Sequence, residues 1–569
     1  MSEPDETRPG ISRRTVLRGA AVAGAAAAGG VLSAGSAEAS PGRGGHGTEG
    51  SFRADLILHN GRIHTMDDRD RVVSVVAISE GRIVYAGNNV NTAKHGFEDK
   101  PRLIDLRGRT AIPGIIDCHN HIVLMGNRPG HHTPLENAYS IADVQATYRA
   151  RARGIRDGGF VTTIGGFHVN QFREHRLPTL AELDAALPDT PAYLSIGFSG
   201  PSVTNSAGRD WFAANAALPP VVGADGSIAA GTETGKATLA LRQALTFDDR
   251  KRSVLDAMAY ATSLGVTTHL DQGAFQATNT PSDGAAHEDN YSMHLPFLAV
   301  YDEGRGTIRL RINFLHMDTE PDVPTLQQRL LNAFKFFGGD MVRTGGIGEF
   351  IAASYFGGPV FVEAARRIAR AGWRTEVHSL TGTDFQTQIQ GFEQVDQEIG
   401  IKDLRWVVAH VPRITEDYVN RLKAIGGGVN LTGWQYLAGT GPQSGPPFRM
   451  IVDNGIPAGM SSDGMQIAPM NPFIHAYYAT TGLNALGNQI NPGQQISRQE
   501  LMELYTRNNQ WFLGDKDEGL LGSLEVGRLG DVAVLSDDYF TVPVDRLRQV
   551  RSVLTVVGGE IVHDTGAVH

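Results

Sequence analysis

The chain is nearly devoid of cysteine. Cys118 is the only one among 569 residues. No intrachain disulfide can form, so stability must come from a buried core rather than from covalent staples. A basic surplus is also missing: 51 Lys and Arg stand against 61 Asp and Glu, a formal net charge of −10. That balance excludes nucleic acid as an electrostatic partner and reads as ordinary solubility. The one N-terminal apolar stretch, residues 19–33, is short and rich in Ala and Gly, which argues against a stable membrane span. The mean hydropathy of −0.19 is that of an ordinary soluble protein. The length exceeds one small domain and fits a (β/α)8 barrel with additions.

What is present begins with an address. Ser12-Arg13-Arg14-Thr15-Val16-Leu17 resembles a twin-arginine export signal, and Ala37-Glu38-Ala39 fits a small-residue cleavage site before Ser40. Residues 1–39 are therefore expected to be a signal peptide read by the twin-arginine export machinery, and 40–52 a Gly-rich linker. The mature protein is expected to be periplasmic or extracellular.

Both ends of the remaining chain look strand-rich. Residues 54–63 alternate and turn like a hairpin at Asn60-Gly61, and 75–86 repeat the pattern around Glu80-Gly81. Residues 522–535 and 553–562 have the same texture. The termini are expected to pair into one β-sandwich, formed by 53–112 and 515–569. Between them, 113–514 alternates strand and helix patterns, as in a parallel barrel. Its eight strands should end near His119, His269, Leu315, Glu349, His378, His410, Leu431 and Asp463. Amphipathic helices are expected over 253–263, 325–337, 360–371 and 416–425. An insertion at about 125–250 carries strands over 160–166 and 192–198 and is too long for a bare loop, so a lid or subdomain is expected. Gly426-Gly427-Gly428 lacks the Lys-Ser/Thr of a phosphate loop and reads as a tight helix-to-strand turn.

The chemistry concentrates in Asp117-Cys118-His119-Asn120-His121, directly after the apolar run Ile112-Pro113-Gly114-Ile115-Ile116. Two His with one residue between them on a strand share a face. Glu349, His378, His410 and Asp463 each end another apolar run. Imidazole and carboxylate suit zinc, and also iron, nickel or manganese. Cys118 reads as a small buried side chain turned away from the site. His131-His132 reads as loop polarity rather than a second metal site. His269, Tyr355, Trp434 and Tyr436 are candidates to line a substrate pocket, with packing as the competing explanation.

Over nearly all of the mature protein the chain resembles the amidohydrolase superfamily. The resemblance rests on 113–121, the strand-end His378 and His410, Ser462-Asp463, and 522–528. The long insertion and Asn205-Ser206 resemble the YtcJ-type branch, which includes N-substituted formamide deformylases. The resemblance implies a divalent metal centre, zinc favoured, with one or two ions. His119 and His121 would bind the more buried metal. His378 and His410 would bind the second metal or the catalytic water, and Asp463 would bind metal and act as general base. Two departures stand out. Many relatives carry a carboxylated Lys on the fourth strand, where this chain has Gly345-Gly346-Ile347-Gly348-Glu349-Phe350 and Glu349 is the nearest substitute. The relatives' Gly-His-Ser segment appears here as Ser199-Gly200-Pro201-Ser202.

The implied reaction is hydrolysis of a C–N bond in a small amide, formamide or cyclic amide by metal-activated water. The same centre could act on an ester, lactone or phosphoester, or deaminate a ring. A non-catalytic binding protein with a structural metal is the remaining reading, and Asp463 argues against it. Homo-oligomerisation is left open by the sequence.

Overall fold

Strands and helices alternate through the middle of the chain in the computed structural model, which describes residues 55–94, 101–155, 159–197, 199–273, 293–353, 357–439, 441, 443–464 and 468–569. The expected signal and linker, and the pocket candidate Tyr355, lie outside these residues. Eight short segments form parallel strands: Ile115–Asn120, Val266–Asp271, Arg309–Phe314, Val342–Ile347, Glu376–Ser379, Val407–His410, Gly428–Thr432 and Ala458–Ser461. They make two four-stranded sheets, each strand beside its neighbour in sequence. The sheets meet at two seams. Ile347 bridges Thr375 between the fourth and fifth strands. The Asp463 N–H donates to the His119 carbonyl at 2.9 Å between the eighth and the first. Most of their residues are buried, the polar and charged ones included: Thr267, Thr268, Arg309, Arg311 and Asn313 lie among the apolar side chains.

The helices between them bury one stripe each. Phe247–Ser263 starts with a reciprocal cap: the Thr246 hydroxyl accepts from the Asp249 N–H at 3.1 Å, and the Asp249 carboxylate accepts from the Thr246 N–H at 3.0 Å. Its Val254, Ala257, Met258 and Ala261 recur at helical spacing and are buried. The helix expected over 325–337 is shorter, Pro324–Asn332. Phe334 and Phe337, which would have extended its apolar stripe, are exposed instead, 74% and 67%.

The two ends of the chain share one eight-stranded sheet, in which Thr110–Pro113 pairs antiparallel with Val532–Leu535. The expected hairpin at Asn60-Gly61 is not there. Leu56–His64 is one strand whose register shifts between His59 and Ile63. A Cβ on Gly61 would lie 2.6 Å from Leu106 Cδ1, so the Gly serves a close approach within a bulge. The real turn is Glu80-Gly81, both at positive φ, between Val72–Ser79 and Arg82–Gly87. Gly114 alone joins the terminal sheet to the first parallel strand. A Cβ there would meet Thr267 Oγ1 at 2.2 Å.

The insertion has its own five-stranded sheet: His131–His132, Val161–Ile164, Ala192–Ser195, Ser202–Thr204 and Ser227–Ile228. His131-His132 is thus an edge strand and not a loop, with His132 buried. Burial depresses both rings, His131 to about 4. Asn205, part of the family-like pair, is a structural staple. Its side chain accepts from the N–H groups of Ala192 and Gly208 and donates to the carbonyls of Leu187 and Thr190.

Candidate metal centre

The strand ends bring six side chains together from five separate parts of the chain. His119 is the fifth residue of the first strand, and His121 follows its end. Glu349 lies two residues past the fourth strand, and Asp463 two past the eighth. His378 is near the end of the fifth strand, and His410 ends the sixth. One ligand atom from each member of three sets lies within 4.8 Å of the others: His119, His121 and Glu349; His119, His410 and Asp463; Glu349, His378 and His410.

Glu349 is the hub. Its Oε1 is 3.2 Å from His121 Nε2, and its Oε2 is 3.0 Å from His378 Nδ1, 3.2 Å from His410 Nε2 and 3.5 Å from His119 Nε2. The backbone is shaped to deliver it: Gly348 has φ 149°, and a Cβ there would lie 2.4 Å from the Glu376 carbonyl oxygen. Asp463 places Oδ1 3.3 Å from His121 Nε2 and Oδ2 3.6 Å from His410 Nδ1.

Charge is concentrated here out of water. Burial alone would raise Glu349, but His378, His121 and His410 outweigh it and hold the carboxyl well below its usual range. Asp463 is likewise depressed, by His410 and His121 against burial. Burial opposes protonation of His121, yet Asp463 and Glu349 raise it well above an ordinary imidazole. His410 is lowered, because burial prevails there.

The donor set fits a divalent cation. Imidazole nitrogens and carboxylate oxygens are the ligands zinc and related metals take. Two buried nitrogens, His119 Nε2 and His410 Nδ1, have no hydrogen-bond partner and face this cluster, which is how lone pairs reserved for a metal would be left. The rings of His119 and His121 are also held through their other nitrogens. His119 Nδ1 is 2.6 Å from Glu376 Oε1, and His121 Nδ1 donates to the Gly273 carbonyl at 2.6 Å.

Other sequence candidates fall outside the cluster. His269 lies inside the second strand, two residues before its end, fully buried against Asn120 with Asp117 3.7 Å away. The strand runs on to Asp271, and His269 belongs to none of the three ligand sets. Tyr436 is buried, its hydroxyl accepting from Arg548 at 3.2 Å and its ring edge-on to Tyr477, so packing accounts for it. Trp434 is partly buried just beyond the seventh strand, its indole N–H without a partner. Cys118 Sγ lies 3.0 Å from Asn509 Oδ1 and packs with Ile116, Leu270 and Phe512; burial raises its thiol well above the usual range. Sequence reading missed Asp117, which accepts from the Ser462 N–H at 3.0 Å and Ser462 hydroxyl at 2.5 Å beside Asp463. It also missed Glu376, although its period-two spacing from His378 was a usable signal.

Residues 102–563 match the model of the amidohydrolase family. The chain is 23% identical over 556 residues to the N-substituted formamide deformylase of Arthrobacter pascens, covering 89% of this chain and 97% of that protein. Over a shorter stretch of 142 residues it is 34% identical to the imidazolonepropionase of a Bradyrhizobium species, 24% of this chain and 32% of the relative. A metal-dependent hydrolase of Pyrococcus horikoshii OT3 has a similar fold, TM-score 0.57 at 17% identity, covering 86% of this chain and 99% of that one. So has atrazine chlorohydrolase of Arthrobacter aurescens TC1, solved with zinc: TM-score 0.51 at 16% identity, covering 90% and 95%.

Proposed function

Since this chain belongs to the amidohydrolase family and is a metal-dependent hydrolase of C–N bonds, we propose that it cleaves a small amide, formamide or cyclic amide, with an N-substituted formamide as the leading substrate class. The observation that carries the reading is the convergence of four imidazoles and two carboxylates at parallel strand ends. The formamide preference is supported by the near full-length similarity to the formamide deformylase. In this reading the eight strands close a (β/α)8 barrel, flanked by a composite β-sandwich from both termini, with the segment boundaries read from the sequence.

His119 and His121, with Asp463, would hold one divalent cation, zinc by preference. Glu349, within reach of that set and of His378 and His410, would be a further ligand. Such a cation supplies two things when bound: it lowers the pKa of its water to about 7 and polarises a carbonyl oxygen. The protein's own groups do the rest. Asp463, held ionised by its His neighbours, takes the proton of the attacking water and delivers it to the departing nitrogen. His378, whose side chain is 17% exposed, is the open edge of the cluster and would donate toward the carbonyl oxygen as charge develops.

Export by the twin-arginine route is part of the same reading and is supported by residues 12–17 and 37–39. A mature N-terminus other than Ser40 in the exported protein would revise it. The decisive assay for the reaction is formate release from a panel of N-substituted formamides by the zinc-loaded protein, run beside cyclic amides, esters and a ring-amine substrate. Formate with a free amine is expected. Ammonia release, or turnover of esters alone, would replace the formamide assignment.

A further inference from the structure

On the reading that His119 is a cation ligand, we infer that Glu376 is the positioning residue that selects which nitrogen of His119 meets the metal. A neutral imidazole has one N–H and one lone pair. Glu376 Oε1 is 2.6 Å from His119 Nδ1, and both Glu376 oxygens accept from groups that can only donate, Arg374 Nη2 and Asn430 Nδ2, so Glu376 is the acceptor and the proton sits on Nδ1. The lone pair is then on Nε2, the atom that faces Glu349 and Asp463 and has no hydrogen-bond partner.

Glu376 is itself held from two sides. Oε2 accepts from Arg374 Nη2 at 2.7 Å, and Oε1 accepts from Asn430 Nδ2 at 2.9 Å. Asn430 is pinned in turn: its Oδ1 accepts from the Ser461 hydroxyl at 2.6 Å, and its Nδ2 also donates to the Cys118 carbonyl at 3.2 Å. His119, Glu376 and Asn430 are all fully buried. The network crosses the first, fifth, seventh and eighth parallel strands, so the carboxylate that meets the ring is itself fixed in place. His121 is treated differently, since its Nδ1 meets only a neutral backbone carbonyl. A carboxylate behind an imidazole makes it the more basic ligand, and losing such a partner typically weakens metal binding about 10–100-fold.

The test is zinc and cobalt(II) titration of the chelator-stripped full chain against a competing chromophoric chelator, with the melting temperature of each metal-free protein measured alongside. Glu376→Gln is expected to weaken zinc about 10–100-fold and to change the visible spectrum of the cobalt(II) form. Because this variant leaves the Arg374 guanidinium without its counter-charge, the double variant Glu376→Gln with Arg374→Met is the control for folding. A double variant that melts like the wild type yet binds zinc more weakly supports the assignment. One that is folded and binds zinc and cobalt(II) as the wild type does overturns it. A crystal of the zinc-loaded wild type gives an answer independent of any variant: coordination through Nε2 of His119 is expected, and coordination through Nδ1 refutes the inference. A wild type that binds neither zinc nor cobalt(II) removes the metal-centre reading itself, a failure distinct from unchanged binding in the variants.

Discussion

Asp463 occupies the left-handed backbone region, φ 53°, where a residue other than Gly is uncommon. Its N–H is engaged by the His119 carbonyl, and its carboxylate reaches both His121 and His410. Asp463→Asn keeps the shape and removes the proposed base. Turnover is expected to fall by about 10²–10⁴ in kcat, with the protein still folded; unchanged kcat would reassign the base. Glu136 offers a separate test, away from the cluster. It is buried, accepting from the Tyr260 hydroxyl at 2.6 Å and from the N–H groups of Met470 and Asn471 at 2.5 and 3.1 Å. Burial nevertheless lifts it to about 7 from an ordinary 4.5. The folded state therefore holds this proton more tightly than the unfolded chain does. The associated stability is present below about pH 4.5 and is lost as pH rises through about 7. Between pH 5 and 8 the unfolding free energy of the wild type should lose on the order of 3 kcal/mol relative to Glu136→Gln, measured by denaturant titration at both pH values. Parallel pH dependences for the two proteins would show that Glu136 does not titrate this way.

At the scale of the element, the strands carry buried charges that tie them to the C-terminal part of the chain. Asp517 accepts from Arg311 Nε at 2.6 Å and Nη2 at 2.8 Å, and from Arg343 Nη1 at 2.9 Å, with Arg311 and Asp517 both fully buried. Asp517→Ala would leave guanidinium charge uncompensated on the third and fourth strands. It should lower stability by about 3–5 kcal/mol, read as a shift in denaturation midpoint, and a shift below 1 kcal/mol would mean that water replaces the carboxylate. Gly114 makes a steric prediction. Gly114→Ala puts its Cβ into Thr267 and should destabilise the junction of the terminal sheet with the first strand by about 1–3 kcal/mol; the joint substitution with Thr267→Ser, which removes one contacting methyl, should recover part of that loss. Legibility also varied at this scale. The parallel strands could be read where apolar residues dominate, as in Ile115–Asn120 and Val407–His410, and His119, Glu349, His378, His410 and Asp463 could be found because each stands at or within two residues of a strand end. Asn60-Gly61 misled, because a local turn signal was overridden by pairing of one long strand with both neighbours. The helix over 325–337 was overextended, because apolar spacing alone does not say where the neighbouring surface ends.

For the whole molecule, the cluster is held from outside by Glu376, Gly273 and Asp117, so the metal-free protein should keep its fold. Removing metal with a chelator is expected to abolish turnover and lower the melting temperature by several degrees, while the far-ultraviolet circular dichroism is preserved. The lost stabilisation is about 4 kcal/mol if zinc was at a thousand times its Kd. Unfolding on chelation would show that the cation is structural. Among the described residues no helix is long and apolar enough to cross a membrane.

The sequence by itself determined the alternation of strand and helix, the strand ends at which reactive side chains emerge, and the residue types offered there. Those properties are local, set by periodicity and side-chain chemistry over a few neighbours. The tertiary structure alone decided that Glu349 stands among four imidazoles, that Tyr436 is buried against Tyr477 and Arg548, and that Glu376 meets His119 across 257 residues of chain. Such pairings follow from how strands are ordered and registered around the sheets, and no stretch of neighbouring residues encodes that.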